Sequence, residues 1–200
     1  AATVGKRKLA ETFSARAAKF QKAVAAMWND TIGMFADRLP DGGLSANATP
    51  AGFVPLLVGV AGADQVDRMV RVMTNEKAFW TRYPLPTLSL NAPRFTDADD
   101  YTSYWNGRTW PNVNWLVAEG LMRSGRRDVA RELISRSVEM VSATGQPLST
   151  ENYHPRHAYQ YDMASNIICY GWGGVVNDLL LRRVLGIQPL APQRAIRIDP

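Results

Sequence analysis

The sequence predicts an all-α protein of about six amphipathic helices paired as antiparallel hairpins, and three observations carry that expectation. Apolar residues recur every three or four positions over most of the chain, which is the helical period. Glycine or proline stands where most of the periodic runs begin or end, and several runs are joined by turns of only two or three residues. Alternating, strand-like stretches are confined to residues 33–37, 148–153 and 195–199.

Taken in order, Leu9, Phe13, Ala17, Phe20, Val24 and Met27 form one stripe over a helix near 4–29. Lys6, Arg7, Lys8, Arg16, Lys19 and Lys22 form its solvated, basic face. Phe53, Leu56, Leu57 and Val60 repeat the pattern at 51–61, and Gly62 breaks it. Val66, Met69, Val70 and Met73 give a short helix at 63–75. Pro111 suits a first helical position and opens 111–124, which ends at Gly125. Ala130, Ile134, Val138 and Val141 define 126–143; Val175, Val176, Leu179, Leu180 and Val184 define 170–185, stopped by Gly186. The longest loop, 84–100, carries Pro84, Pro86, Pro93, Asp97, Asp99 and Asp100, and loops of that length inside a helical domain are usually functional. Nothing marks a boundary, so residues 1–200 are expected to form a single helical domain.

Composition removes several function classes. A single cysteine, Cys169, excludes an intrachain disulfide framework and any cysteine-based zinc module, and its neighbours suggest a buried thiol. No apolar run approaches the roughly 18 residues that span a bilayer, and the first residues lack a signal-peptide core. No membrane partner is expected; cytoplasm and periplasm stay equally open. The net charge of +5 permits nucleic-acid binding, but no helix-turn-helix, zinc-finger or RNA-recognition pattern accompanies it, so no nucleic-acid partner is expected.

The chemistry concentrates in two stretches. Ten of the 19 aromatic residues lie in 101–115 (Tyr101, Tyr104, Trp105, Trp110, Trp115) and 153–172 (Tyr153, Tyr159, Tyr161, Tyr170, Trp172). Much of this lies off the helical stripes, where flat apolar faces beside polar groups suit a sugar; the alternative is that the rings plug the ends of the core. Asn106, Arg108, Asn112, Asn114, Glu151, Asn152, His154 and Asn166 supply donors and acceptors for a polyhydroxylated ligand. Glu151 is the one carboxylate opening the second cluster. It can serve as a general base activating water at a glycosidic carbon, or it is an ordinary loop carboxylate. Glu151, His154 and His157 are spaced three apart, as helical metal ligands would be, but Pro155 interrupts a helix there and no other histidine exists. No metal is expected. No cofactor is expected either: a P-loop and a Gly-x-Ser-x-Gly elbow are absent, and Gly171-Trp172-Gly173-Gly174 has no βα unit before it.

Tyr104-Trp105-Asn106-Gly107-Arg108-Thr109-Trp110-Pro111 resembles the Tyr-Trp-Arg-Gly-x-x-Trp segment of family 63 glycoside hydrolases. Glu151-Asn152-Tyr153-His154-Pro155 resembles their Glu-Asn-Tyr-x-Pro segment, and Tyr170-Gly171-Trp172-Gly173 their Phe-x-Trp-Ser. The resemblance implies an (α/α)6 toroid and an inverting α-glycosidase, typically acting on α-glucosides. It implies Glu151 as general base, and Tyr104, Trp105, Asn106, Arg108, Trp110, Asn114, Tyr153, His154 and Trp172 as the substrate-binding set. Asn106 stands where the family has Arg, and Gly173 where it has Ser. Such a toroid needs twelve helices and the family's acid is an earlier Asp, so the chain resembles the C-terminal half of the domain, with its general acid missing. Asp37, Asp97, Asp99 and Asp100 are the nearby carboxylates.

The leading expectation is therefore an inverting glycoside hydrolase, inactive as this isolated piece, with a carbohydrate substrate. Its structural partner is either the missing N-terminal half of the barrel or a second copy. The alternatives are a non-catalytic carbohydrate-binding half-toroid and a helical scaffold whose basic first helix binds a partner.

Overall fold

The computed structural model describes residues 5–143, 145, 149–158 and 167–199. Tyr159, Tyr161 and Asn166 lie outside the described residues. The helices fall close to the sequence expectation: α1 (Arg7–Ala25), a 3-10 helix (Pro50–Val58), α2 (Ala63–Met73), α3 (Pro111–Arg123), α4 (Arg127–Ser142) and a composite last segment. The only regular strand pairs among the described residues are two short antiparallel hairpins. One joins β1 (Trp28–Asn29) to β2 (Met34–Phe35), and the other joins β3 (Ile187–Leu190) to β4 (Ala195–Ile198). No described helix is long and apolar enough to cross a membrane.

Two helices depart from the α form. Residues 50–58 wind as a 3-10 helix, with Pro50 in its first turn and Pro55 inside. A proline cannot donate the i→i−4 bond and its ring crowds the preceding turn, which disfavours an α-helix here. The segment expected as one helix at 170–185 divides into a 3-10 turn (Gly171–Gly174), α5 (Val175–Leu179) and a π-helical stretch (Leu180–Val184). In that last stretch Leu185 N donates to Leu180 O, a five-residue step. It pairs Arg182 with Asp178 inside the segment and carries Arg183 onto buried Glu119 of α3, a bidentate ion pair that ties the last segment to α3.

One apolar core, including Phe53, Leu56, Met69, Val117, Leu121, Leu133 and Leu179, joins these helices. α1 stands apart from it. None of its residues is buried, and Leu9, Phe13 and Phe20 are 44%, 54% and 70% exposed on one stripe. Only its C-terminal end engages the body, through Val24 and a bond from Gln21 Nε2 to Val58 O. In the last segment, Leu181, Val184 and Leu185 are also exposed beside a cavity of about 410 Å³ between α4 and that segment.

Extended loop segments cross on the same body and position the chemistry. Tyr83 N donates to Pro155 O and Thr87 N to Arg108 O. Single antiparallel bridges link Pro86 to Thr109, Thr109 to Tyr153, and Thr150 to Ile168. The stretch expected as a strand at 148–153 is thus a set of isolated bridges over its described part. It is too irregular for a ladder yet fixed on both flanks.

Candidate active site

Glu151 sits between two of these bridges. Its N–H donates to Ile167 O at 2.8 Å, and Tyr153 exchanges both backbone bonds with Thr109 at 2.9 Å. That pins the backbone on either side of the carboxylate, which is 4% exposed. Its Oε2 accepts the Tyr104 hydroxyl at 2.5 Å and the Asn152 amide, Nδ2, at 3.4 Å. Burial and the neighbouring Glu151 carboxylate push the Tyr104 phenol well above its ordinary range, so it stays protonated and donates.

Beside this pair stands a layered aromatic wall. Trp105 stacks on Trp110 with ring centres 4.2 Å apart and planes 6° from parallel. Tyr101 stacks on Tyr104 at 5.0 Å, and Trp172 meets Trp110 edge-on at 5.9 Å. Trp105 keeps 59% of its surface exposed while Trp110 is buried behind it. The motif therefore supplies an inner ring that is packed and an outer ring that stays exposed. Gly107 makes the turn possible, because a Cβ there would collide with the Thr96 carbonyl. Gly173 is similar: a side chain would strike Ser149, so the serine of the resembled family does not fit this backbone.

Several residues expected to contact sugar also make structural bonds. Arg108 is fully buried, and its Nε, NH1 and NH2 donate to Ser103 Oγ, Asn152 Oδ1 and Asp100 O at 2.9, 3.1 and 2.6 Å. It staples the loop 100–110 to the Glu151 loop. Arg108→Ala is expected to lower folding stability by about 3 kcal/mol, read as a fall in the urea midpoint, because it strips several buried bonds at once. Asn114 is fully buried and its Nδ2 donates to Ser137 Oγ of α4. Tyr153 is buried with Tyr83 and Met140, and its hydroxyl accepts Thr150 N. Asn106 donates to Thr102 O in its own turn. Cys169, expected buried, is exposed at φ 58°. Ser103 and Thr150, which help anchor the site, had no sequence signal, being small polar residues outside any periodic run, and Asp100 stood out only as a loop carboxylate.

His154 is buried and its Nδ1 accepts the Arg156 and His157 backbone N–H groups. Desolvation first, then His157, pushes its titration below the ordinary value of 6.5, although Asp97 opposes this. The unfolded chain therefore binds this proton more readily than the folded one. The stabilisation is present above about pH 6.5 and is lost as the pH falls below it. The urea midpoint is expected to drop between pH 7.5 and 5, and His154→Asn to flatten that drop. No group of three or more His, Cys, Asp or Glu among the described residues could hold a metal.

Residues 1–172 match the family model described as the mannosylglycerate hydrolase MGH1-like glycoside hydrolase domain. The chain belongs to that family. It is similar to mannosylglycerate hydrolase MGH1 of Selaginella moellendorffii, 34% identical over 101 residues, covering 49% of this chain and 19% of that one. It is also similar to the periplasmic trehalase of Salmonella paratyphi A, 32% identical over 146 residues, covering 72% of this chain and 24% of that one. Among solved structures, a GH63 mannosylglycerate hydrolase from Thermus thermophilus in complex with glucose matches with a TM-score of 0.67 and 26% identity, covering 82% of this chain and 36% of that one. This member of the family thus spans less than two fifths of the length of each of these relatives. The matched region contains both motif loops, including Glu151 and the Trp105–Trp110 stack.

Proposed function

We propose that this chain carries the general base and one aromatic wall of an inverting glycoside hydrolase whose ring is completed by further polypeptide. It forms one helical unit, part of an (α/α)6 domain. The observation that carries the reading is Glu151, buried and held by Tyr104 and Asn152 beside the free face of Trp105. In an inverting reaction the base removes a proton from water as its oxygen attacks the anomeric carbon, while an acid on the far side, roughly 6.5–9.5 Å away, protonates the leaving oxygen.

The nearby carboxylates favour an acid from elsewhere. Asp97 is paired with Arg156 at 2.8 Å. Asp100 accepts the Thr102 hydroxyl and N–H, which holds its carboxyl below the usual range and therefore ionised. That arrangement disfavours Asp100 as a protonated donor at neutral pH.

The substrate class is an α-linked glucoside or a close relative. The names of similar enzymes make mannosylglycerate and trehalose the first compounds to try. Calorimetry of this chain against both, and turnover by the completed ring, test the proposal. Turnover that disappears with Glu151→Gln supports it. Binding without turnover by the completed ring leaves a carbohydrate-binding half-toroid instead, and neither binding nor turnover removes the carbohydrate reading.

A further inference from the structure

Tyr104 belongs, by sequence resemblance, to the sugar-contacting set, yet its hydroxyl faces the carboxylate. The turn that presents it is fixed from below: Asp100 caps the short 3-10 turn Tyr101–Ser103, and the Asp100 carbonyl accepts Arg108 NH2. The ring is held on several sides. Tyr101 stacks against it, Trp105 and Trp110 meet it edge-on at 5.5 and 5.1 Å, and the Arg108 guanidinium lies 5.3 Å from its centre. A phenol has a single proton, and here it goes to one oxygen of Glu151. Asn152 reaches that same oxygen, and its amide is turned correctly because Arg108 NH1 occupies Asn152 Oδ1. Among the described residues, Oε1 of Glu151 accepts no hydrogen bond. The two oxygens are therefore not equivalent.

Resting on the reading of Glu151 as the base, we infer that Tyr104 is a positioning residue that pins Oε2 of Glu151 and leaves Oε1 as the atom that takes the proton from water. A carboxylate free to rotate would present either oxygen at varying angles. One held through Oε2 presents the lone pairs of Oε1 in a fixed direction. Because Tyr104 remains protonated, the restraint persists across the working range of pH.

The test uses the chain itself, labelled with 13C-carboxyl glutamate, and infrared difference spectra against Glu151→Gln to isolate the Glu151 carboxylate. A carboxylate bonded through one oxygen shows a wide separation between its antisymmetric and symmetric stretches. Tyr104→Phe should narrow that separation, whereas Tyr101→Phe, which keeps the ring stack, should leave it unchanged. Identical bands in wild type and Tyr104→Phe overturn the inference. If Tyr104→Phe does not fold, the hydroxyl proton of Tyr104 in the wild-type chain decides. Its NMR signal should lie downfield and move upfield in Glu151→Gln, and a signal indifferent to that substitution overturns the inference. Neither readout depends on turnover. Full activity in Glu151→Gln would end the base assignment while leaving this bond in place, and unchanged bands would end the positioning role while leaving the base assignment in place.

Discussion

Glu151→Gln in the completed ring is expected to cost roughly 100-fold or more in kcat, the scale of losing a general base. Gln keeps the volume and can still accept the Tyr104 hydroxyl, so the loop, the Asn152 contact and the aromatic wall should survive. What disappears is the capacity to take a proton from the attacking water. Substrate affinity should change little, because the exposed Trp105 face is untouched. The urea midpoint of the variant should stay near that of the wild type, since a neutral amide is no harder to bury than the carboxylate it replaces. Unchanged turnover in a folded variant would remove Glu151 from the mechanism.

Purified alone, the 200-residue chain should neither hydrolyse glycosides nor run as a 22.2 kDa monomer. The association follows from two exposed apolar faces, each carried by a different helical segment. One is the Leu9, Phe13 and Phe20 stripe of α1; the other is Leu181, Val184 and Leu185 beside the α4 cavity. Monomers rarely expose apolar patches beyond a few hundred Å². The remaining helices of a ring would cover both faces, and in their absence a second copy is the available cover. Catalysis fails separately, because without a protonated acid the leaving oxygen departs as an alkoxide. Light scattering together with an assay on p-nitrophenyl α-glucoside checks both parts. A stable monomer that turns over substrate refutes the prediction and demands an acid among Asp37, Asp97, Asp99 and Asp100.

Much of the fold is legible in the residues because helices announce themselves locally. The stripes of α2, α3 and α4 follow from spacing alone, and Pro111 and Gly125 mark their ends. The aromatic clusters also stand out, because rings displaced from a helical stripe break a pattern that is otherwise regular. What residue type leaves open has one cause. Arg108, Asn114 and Tyr153 belong to residue types that suit a sugar pocket, and all three are buried. Residue type says which bonds a side chain can make, and only the packed chain says which partner takes them.

By itself, then, the sequence determined the helical class, most element boundaries, the two motif loops and the candidacy of Glu151. Each rests on periodicity, on a proline or glycine stop, or on a motif contiguous in the chain. Tertiary structure alone decided that Tyr104, 47 positions earlier, donates its hydroxyl to Glu151, that Arg108 staples the two loops, and that among the described residues the apolar stripe of α1 stays exposed. Those facts depend on bridges between segments far apart in sequence, such as Thr109 with Tyr153. Such bridges form because loop backbone, once withdrawn from water, must find hydrogen-bond partners wherever the helical core brings other loops alongside.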